Sequence, residues 1–525
     1  TELANLTNRD VWESVPNSSV PMSVKKLRAK WIFKVKQTSS GEVDKFKARL
    51  VIQGFTQKEG IDYSKYGIFS PTVRAESVRM VMALAAQFDL EMNQYDVPSA
   101  FLRADIDKEI FIHPPEGHYV KKDHCLHLKK GIYGLVQSPR LFYKHCEKIF
   151  NDLGFYSIPA DPCVFINESL TGDKPPMVIC LYVDDLIFMG KKEHMEPTIK
   201  ALKKQLDLTD LGQLDWYLGM KIERDRSKRL VRLNQEQYVK DALRKFDCDH
   251  ACQALFDTPH DTTKLQVTVE TDTICDLANY QSLIGTLIYL STHTRPDICF
   301  AVHSVARHMA KPNKHHYRAA MRILKYLRKT MKEGIVLGGG KPILSCFVDS
   351  AYAPDEEKRR STTGFICFLG TGPISWSAKL QKSVALSTTE SEFMALSDAA
   401  REVVWLKSLL KSLKVRQQAV TIYEDNAGAV CLSYNASHHK RTKHIDVRYH
   451  FTRELVEQNE VLVKYCETQR QIADMLTKNV PRPRFLELKR YLVSPDWNVQ
   501  GTVDDLFRQG SQAYAKTIKG LSGNT

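Results

Sequence analysis

Asp184 and Asp185 stand side by side between two apolar runs, Met177–Val183 and Leu186–Met189. Adjacent carboxylates at a tight hairpin are ordinary turn formers. Asp-Asp nevertheless lacks the Gly or Asn that such a turn prefers, and like charges flanked by apolar strands repel unless a cation lies with them. A metal role leads on this ground. Asp96, within Gln94-Tyr-Asp-Val-Pro-Ser-Ala-Phe-Leu102, closes another strand where the chain turns into a short helix. One acid from that strand and two from a neighbouring hairpin could hold a pair of divalent ions, clamping the attacking and leaving oxygens of an in-line phosphoryl transfer. Oxygen-only ligands beside phosphates favour magnesium.

A second series of acids follows Gly338-Gly-Gly-Lys-Pro342. Asp349 ends the strand Cys346-Phe-Val348, Glu390 opens a helix after Leu386-Ser-Thr-Thr389, Asp425 follows the strand Thr421-Ile-Tyr423, and Asp474 lies in Gln471–Lys478. Acids at strand ends and helix starts are also common caps, and Glu390 alone reads as first-turn stabilisation.

The elements that must carry these acids are mixed. At 525 residues the chain is too long for one core, since single cores rarely grow past about 250–300 residues. Lys30–Lys36 alternates, Ser39-Ser-Gly41 turns the chain and Phe46–Ile52 runs back, a hairpin signature. Ser77–Phe88 has helical spacing. An α+β pattern runs to about residue 190, a mostly helical stretch spans 192–335, and strands at Ile343–Val348, Thr363–Leu369, Ser383–Ser387 and Val420–Tyr423 with a helix over Glu390–Leu410 predict a mixed sheet. On the helix Tyr317–Thr330 an apolar stripe accompanies a cationic one, Arg318, Arg322, Lys325 and Lys329. Such a stripe is usually a solvated face, but one without acid neighbours suits phosphate contact.

Lys+Arg 75 against Asp+Glu 61 gives a net charge of +14, so the surface attracts polyanions; nucleic acid leads and an acidic membrane surface follows. No apolar stretch reaches the roughly 20 residues that cross a bilayer, and no signal pattern opens the chain. Beginning at Thr1 instead of Met suggests a piece of a longer polyprotein. The 12 cysteines are scattered; Cys248-Asp-His-Ala-Cys252 has no second ligand pair nearby, so ordinary thiols in a reducing compartment are expected.

Several ordered blocks carry a family resemblance: Asn8–Pro16, Lys30–Lys34, Lys47–Phe55, Phe69–Arg74, Tyr133–Pro139 and the Tyr182-Val183-Asp184-Asp185 tetrad. The chain resembles the reverse transcriptase of copia-type LTR retrotransposons. The resemblance implies a right-hand polymerase, with fingers and palm over residues 1–191 and a thumb and connection over 192–335, including a primer-positioning hairpin near 214–233. It implies that Asp96, Asp184 and Asp185 bind the metals and that Phe101, five residues after Asp96, gates against a ribose 2′-OH. Lys47 and Arg49 would neutralise the incoming triphosphate, against the competing reading of a solvated strand face. Gly134 would let the backbone approach the nucleotide, and Tyr217-Leu-Gly219 would position the primer end. Arg103-Ala104 and Gly67-Ile68 depart from the family pattern without removing a metal ligand.

The second series resembles the same family's ribonuclease H set: Asp349, Glu390, Asp425 and Asp474, with Glu392 the rival of Glu390. The blocks Arg359–Gly364, Ile374–Lys382 and Arg441–His450 agree with it. The ribonuclease H-like mixed α/β domain would span 341–490, followed by a poorly ordered tail, 491–525. Lys443 and His444, in the basic run Lys440–Arg448, would track phosphates; His438, His439 and His444 could suggest zinc, but no cysteine or acid completes a tetrahedral set.

The resemblance implies two Mg2+ per site, with Mn2+ an alternative. Implied partners are an RNA template, a DNA primer, RNA–DNA hybrid, deoxynucleoside triphosphates, and the upstream integrase and capsid parts of a parent polyprotein, with no membrane. The implied setting is intracellular, in a cytoplasmic virus-like particle and with the replication intermediate in the nucleus. Two other readings compete: a silent nucleic-acid-binding relic of such an element, and a ribonuclease with a non-polymerising front half. All seven expected acids are present, which favours the enzyme.

Overall fold

A computed structural model describes residues 2–37, 43–170, 175–249, 255–261, 265, 275–354, 359–434 and 446–497. They form two compact units, the first drawn from 2–73, 93–170 and 176–212 and the second from 74–92 and 213–497. The α+β expectation holds in both.

In the first unit, the expected hairpin joins strands Ala29–Gln37 and Val43–Ile52; its turn lies outside the described residues. Register pairs Phe33 with Ala48 and Val35 with Phe46, and in alternation Ile32 with Arg49, Lys34 with Lys47 and Lys36 with Lys45. Since successive side chains point to opposite faces, one face of this ribbon is aromatic and aliphatic while the other is cationic.

A three-stranded sheet, Trp12–Pro16, His124–Leu128 and Phe111–Ile112, packs its inner face into a core with Leu6, Val11, Leu50 and Ile132. A six-stranded sheet runs in the order Thr209–Gln213, Glu91–Asp96, Asp185–Gly190, Met177–Tyr182, Asp161–Asn167, Tyr156–Ile158. Its central pair is apolar almost throughout because it is covered on both faces.

In the second unit, four antiparallel strands, Trp216–Tyr217, Met220–Asp225, Leu230–Asn234 and Gly334–Gly338, form one sheet. Within the stretch 192–335 three of these strands fall at 216–234, where a hairpin near 214–233 was expected, and the other regular elements are mainly helices. These strands are short and carry Arg224 and Arg232 inside the pattern, which blurs their alternation. The helix Ala75–Phe88 packs on this sheet. Its buried Arg79 donates Nε–H to the Ile374 carbonyl at 2.7 Å and lies 4.1 Å from the centre of the Trp376 ring. Helices Glu236–Lys245, Leu277–His293, Cys299–Ala306 and Lys314–Lys329 complete this part.

A five-stranded mixed sheet follows, in the order Gly372–Leu380, Thr362–Leu369, Leu344–Ala351, Val420–Glu424, Val461–Tyr465. The first three strands are antiparallel and the last two join in parallel. The helix Thr388–Ser412 packs on it.

Two expectations need correction here. The third strand is Gly372–Leu380, and Ser383–Ser387 forms bends leading into the helix. The tail does not begin at 491 either: Leu492 and Val493 are buried and Ser494 pairs with Gly334. Residues 498–525 lie outside the described residues. Among the described residues no helix is long and apolar enough to cross a membrane, and the cysteines are free thiols.

Candidate active sites

The first site is built on the hairpin that carries the tetrad. Asp185 pairs with Tyr182, so the two loop residues are Val183 and Asp184, and Asp185 already belongs to the second strand. Of the two acids expected in the loop, only Asp184 lies there. Val183 takes φ +54°; a β-branched residue in the left-handed region is strained by about 1–3 kcal/mol, and such strain persists where surroundings over-determine the backbone. One such restraint is visible. The Val97 N–H donates to the Asp184 carbonyl at 2.9 Å, fastening the turn to the end of the strand that carries Asp96.

The three carboxylates feel one another. Burial, then Asp184 and Asp96, push the Asp185 carboxyl up to about 6, against a Gln94 hydrogen bond that lowers it. Divalent-ion sites hold acids in this way, because a cation removes the repulsion that otherwise drives protonation.

Around them the structure joins three residues that the sequence left separate. Arg49, on the cationic face of the ribbon, lies 4.8 Å from the centre of the Tyr133 ring. Tyr133 meets Phe101 edge to face at 5.1 Å. Phe101 is half-buried at the start of a short 3-10 turn, so one edge remains open to a ligand. Tyr133, which the sequence reading gave no role, thus links the hairpin to the gate position. Lys47 is half-buried on the same face as Arg49. Arg103, one of the departures from the family pattern, is held by Asp207 at 2.6 Å and by the Pro98 carbonyl.

Gly134 serves the fold. At φ +95° an added Cβ would sit 2.1 Å from the Ile52 carbonyl oxygen, where the Ile52 N–H donates to the Tyr133 carbonyl at 2.8 Å. Gly134→Ala is expected to destabilise the first unit by about 2–4 kcal/mol through φ strain and overpacking. The check is its thermal unfolding against wild type.

The second site lies on the five-stranded sheet. Ligand oxygens of Asp349, Glu392 and Asp425 lie within 4.8 Å of one another, and among the described residues no other set of three acids, histidines or cysteines does so. The expectation of Glu390 is corrected. Glu390 turns back to accept the Leu386 N–H at 2.8 Å while its own N–H donates to the Ser387 hydroxyl at 3.1 Å. It stabilises the helix start. Residues two apart are roughly 200° apart around a helix, so only one of Glu390 and Glu392 can face the sheet. The choice is made by Ser391, whose hydroxyl accepts from Ser350 at 2.7 Å beside Asp349. The pattern Ser387-x-x-Glu390 is the sequence signal for a capping pair, and it would have freed Glu392 for the site.

Burial, then Glu424, Asp349 and Asp425, hold the Glu392 carboxyl well above the usual range. Glu424, fully buried next to Asp425, was also missed. One carboxylate oxygen of Glu392 and one of Glu424 lack any hydrogen-bond partner among the described residues. Buried orphan oxygens are costly, and a divalent cation is what this donor set fits. Asp474 stands apart from the triad, 2.6 Å from Lys478 Nζ. Its carboxyl is raised to about 6 by burial and by Asp349. Gly364 makes the approach possible, since a Cβ there would meet Thr477 Cγ2 at 2.6 Å.

Asp185 and Asp474 give a pH prediction. Each binds its proton more tightly when folded, at about 6, than at the ordinary value of 3.8. Between these values the folded state holds more protons, so stability rises as pH falls through 6 toward 4 and is lost again above 6. In chelator the melting temperature of wild type should gain more, relative to an Asp185→Asn/Asp474→Asn variant, on going from pH 7 to pH 5. Excess divalent ion should shrink that difference.

The expected nucleic-acid contacts fare unevenly. Tyr217 is 1 % exposed and turned into the protein, while neighbouring Trp216, 47 % exposed, faces outward from that hairpin. Arg322 is partly spent: its guanidinium lies 4.0 Å from the centre of the Phe256 ring and donates to Thr258 at 3.2 Å. Asp257, on the same segment, pairs with Lys329 and with Arg482. The stripe therefore has an acid neighbour, supplied by a segment that helical spacing could not reveal. Lys325 remains half-exposed. Lys443 and His444 lie outside the described residues.

A hairpin acid pair beside a third strand-end acid, followed by a separate carboxylate triad on a mixed sheet, gives the chain two donor sets suited to divalent ions. Residues 9–258 match the family described as "Reverse transcriptase (RNA-dependent DNA polymerase)". The chain is 40% identical over 483 residues to the "Retrovirus-related Pol polyprotein from transposon TNT 1-94" of Nicotiana tabacum, covering 90% of this chain and 36% of that one. It is 33% identical over 480 residues to that from transposon RE1 of Arabidopsis thaliana, covering 90% and 32%. The chain thus spans about a third of the length of these curated relatives. Among solved structures, a foamy viral protease-reverse transcriptase in complex with RNA/DNA hybrid aligns with TM-score 0.48 and 13% identity, over 91% of this chain and 54% of that one. Residues 9–258 thus carry the reverse transcriptase family match, and the chain as a whole is similar to a region of retrotransposon Pol polyproteins.

Proposed function

We propose that this chain synthesises DNA on RNA and DNA templates at Asp96, Asp184 and Asp185, and cleaves the RNA strand of RNA–DNA hybrids at Asp349, Glu392, Asp425 and Asp474. The observation that carries the reading is two carboxylate sets, one in each compact unit, in each of which burial and then the neighbouring acids raise a member's affinity for protons. Oxygen-only donors fit Mg2+, with Mn2+ as the substitute. When bound in pairs, such ions supply neutralising charge to the attacking and leaving oxygens.

The chain's own residues do the rest. The Val97–Asp184 hydrogen bond holds the acid turn on the neighbouring strand. Lys47 and Arg49 receive the triphosphate on the cationic face of the ribbon. The Phe101 ring, braced by Tyr133, meets the sugar where a 2′-OH would project. In the second site the Thr468 hydrogen bond to Asp425 and the Thr477 hydroxyl donating to Asp349 orient those carboxylates. The hybrid would be read through its shape and 2′-OH groups.

The partners this reading requires are a template, a DNA primer, RNA–DNA hybrid and deoxynucleoside triphosphates. An intracellular particle containing the integrase and capsid parts of a parent polyprotein is the proposed setting. The test is direct: wild-type chain with Mg2+, assayed for deoxynucleotide incorporation on primed RNA and for hybrid cleavage. Both activities are expected. Neither activity in Mg2+ or Mn2+ would leave a silent nucleic-acid-binding relic.

A further inference from the structure

The four acids of the second site are not equivalent. Asp349, Glu392 and Asp425 close to within 4.8 Å, and buried oxygens of Glu392 and Glu424 lack hydrogen-bond partners among the described residues, as does Asp474 Oδ1, which is met instead by an ion pair. On the other side of Asp349 the position is already filled. Lys478 Nζ lies 2.6 Å from Asp474 Oδ1 and 3.6 Å from Asp349 Oδ2. A compact cation between two carboxylates occupies the place where a second divalent ion would bridge them. The lysine has an exit, since its side chain is 42 % exposed at the mouth of the site.

We propose that Lys478 is a built-in counter-ion that holds the second-ion seat between Asp349 and Asp474, and that a second divalent ion binds only by displacing its ammonium into solvent. This rests on the hybrid-cleaving reading of the site. It makes the two seats unequal: the triad takes an ion without competition, whereas the Asp349–Asp474 seat exchanges one cation for another. It also gives Lys478 a second task. Without metal, its charge offsets the repulsion between Asp349 and Asp474 and keeps the segment Ile472–Leu476 docked on the sheet.

The experiment uses the full chain carrying Asp184→Asn and Asp185→Asn, so that Mn2+ bound by the first site does not contribute. Free Mn2+ is counted by electron paramagnetic resonance during titration, and thermal melting is followed in chelator and in Mn2+. The parent should bind one ion well and a second more weakly. Lys478→Met should tighten the second ion by roughly tenfold and change the first by less than about twofold, because an ammonium acts most strongly on the seat it occupies. A spin-coupled pair signal should appear at correspondingly lower Mn2+. In chelator the variant should melt below the parent, and Mn2+ should close that gap. Lys478→Gln, measured alongside, keeps the test available should one variant misfold. Equal tightening of both ions, or an unchanged second ion, overturns the proposal and leaves the hybrid-cleaving reading standing. No ion bound by parent or variants overturns both.

Discussion

Glu392→Gln is expected to lower hybrid cleavage by about a thousandfold or more, since removing a carboxylate that would hold a charge-neutralising ion costs several kcal/mol and each 1.36 kcal/mol is tenfold in rate. Glu390→Gln should stay within a few-fold of wild type. Its carboxylate serves the Leu386 N–H at the helix start, so its loss should appear as about 0.5–1 kcal/mol of stability. The pair is informative because the two residues are separated by one position and share side-chain type, burial and helix. Only direction differs. If Glu390→Gln proved the inactive variant, the assignment of the triad would be wrong at its centre.

Asp185→Asn is expected to remove deoxynucleotide incorporation by a comparable factor. The amide keeps the shape of the hairpin and its pairing with Tyr182, so folding should be preserved. It also removes one of the three mutually repelling charges. The variant should therefore be at least as stable as wild type in chelator at pH 7, and should gain less from added Mg2+. A loss of stability together with activity would mean that Asp185 acts through the hairpin's structure and not through a metal.

Much of both sites could be read from residue types alone, because carboxylates between apolar strands have few harmless explanations. Asp184, Asp185 and Asp96 fall at a hairpin and a strand end, as the alternation of apolar runs and turns required. Asp425 directly follows the strand Val420–Glu424, whereas Asp349, expected at a strand end, lies inside the adjacent parallel strand Leu344–Ala351, two residues before its end. What could not be read depended on direction and on distant partners. Glu390 and Glu392 differ by an angle around a helix, which only the capping pattern at Ser387 could have resolved. Lys478 sits in the site through an i,i+4 relation to Asp474, yet its approach to Asp349 depends on Gly364 admitting Thr477.

The cationic stripe on Lys314–Lys329 shows the opposite failure. Its spacing is real, but Phe256 and Asp257 arrive from a segment with no periodic signal and take up Arg322 and Lys329. Tyr217, expected as a nucleic-acid contact, is buried in its hairpin strand, since two-residue alternation in a short strand does not say which face is covered.

The central claim is that one chain carries two separate phosphoryl-transfer sites. The most direct measurement is a single Mg2+ reaction on a primed RNA template, with primer and RNA carrying different labels, run with wild type, Asp185→Asn and Asp349→Asn. Wild type should extend the primer and then cut the RNA. Asp185→Asn should leave the primer unextended yet still cut a preformed hybrid, and Asp349→Asn should extend the primer and leave the RNA intact. Loss of both activities in either variant, or of neither, would contradict the account.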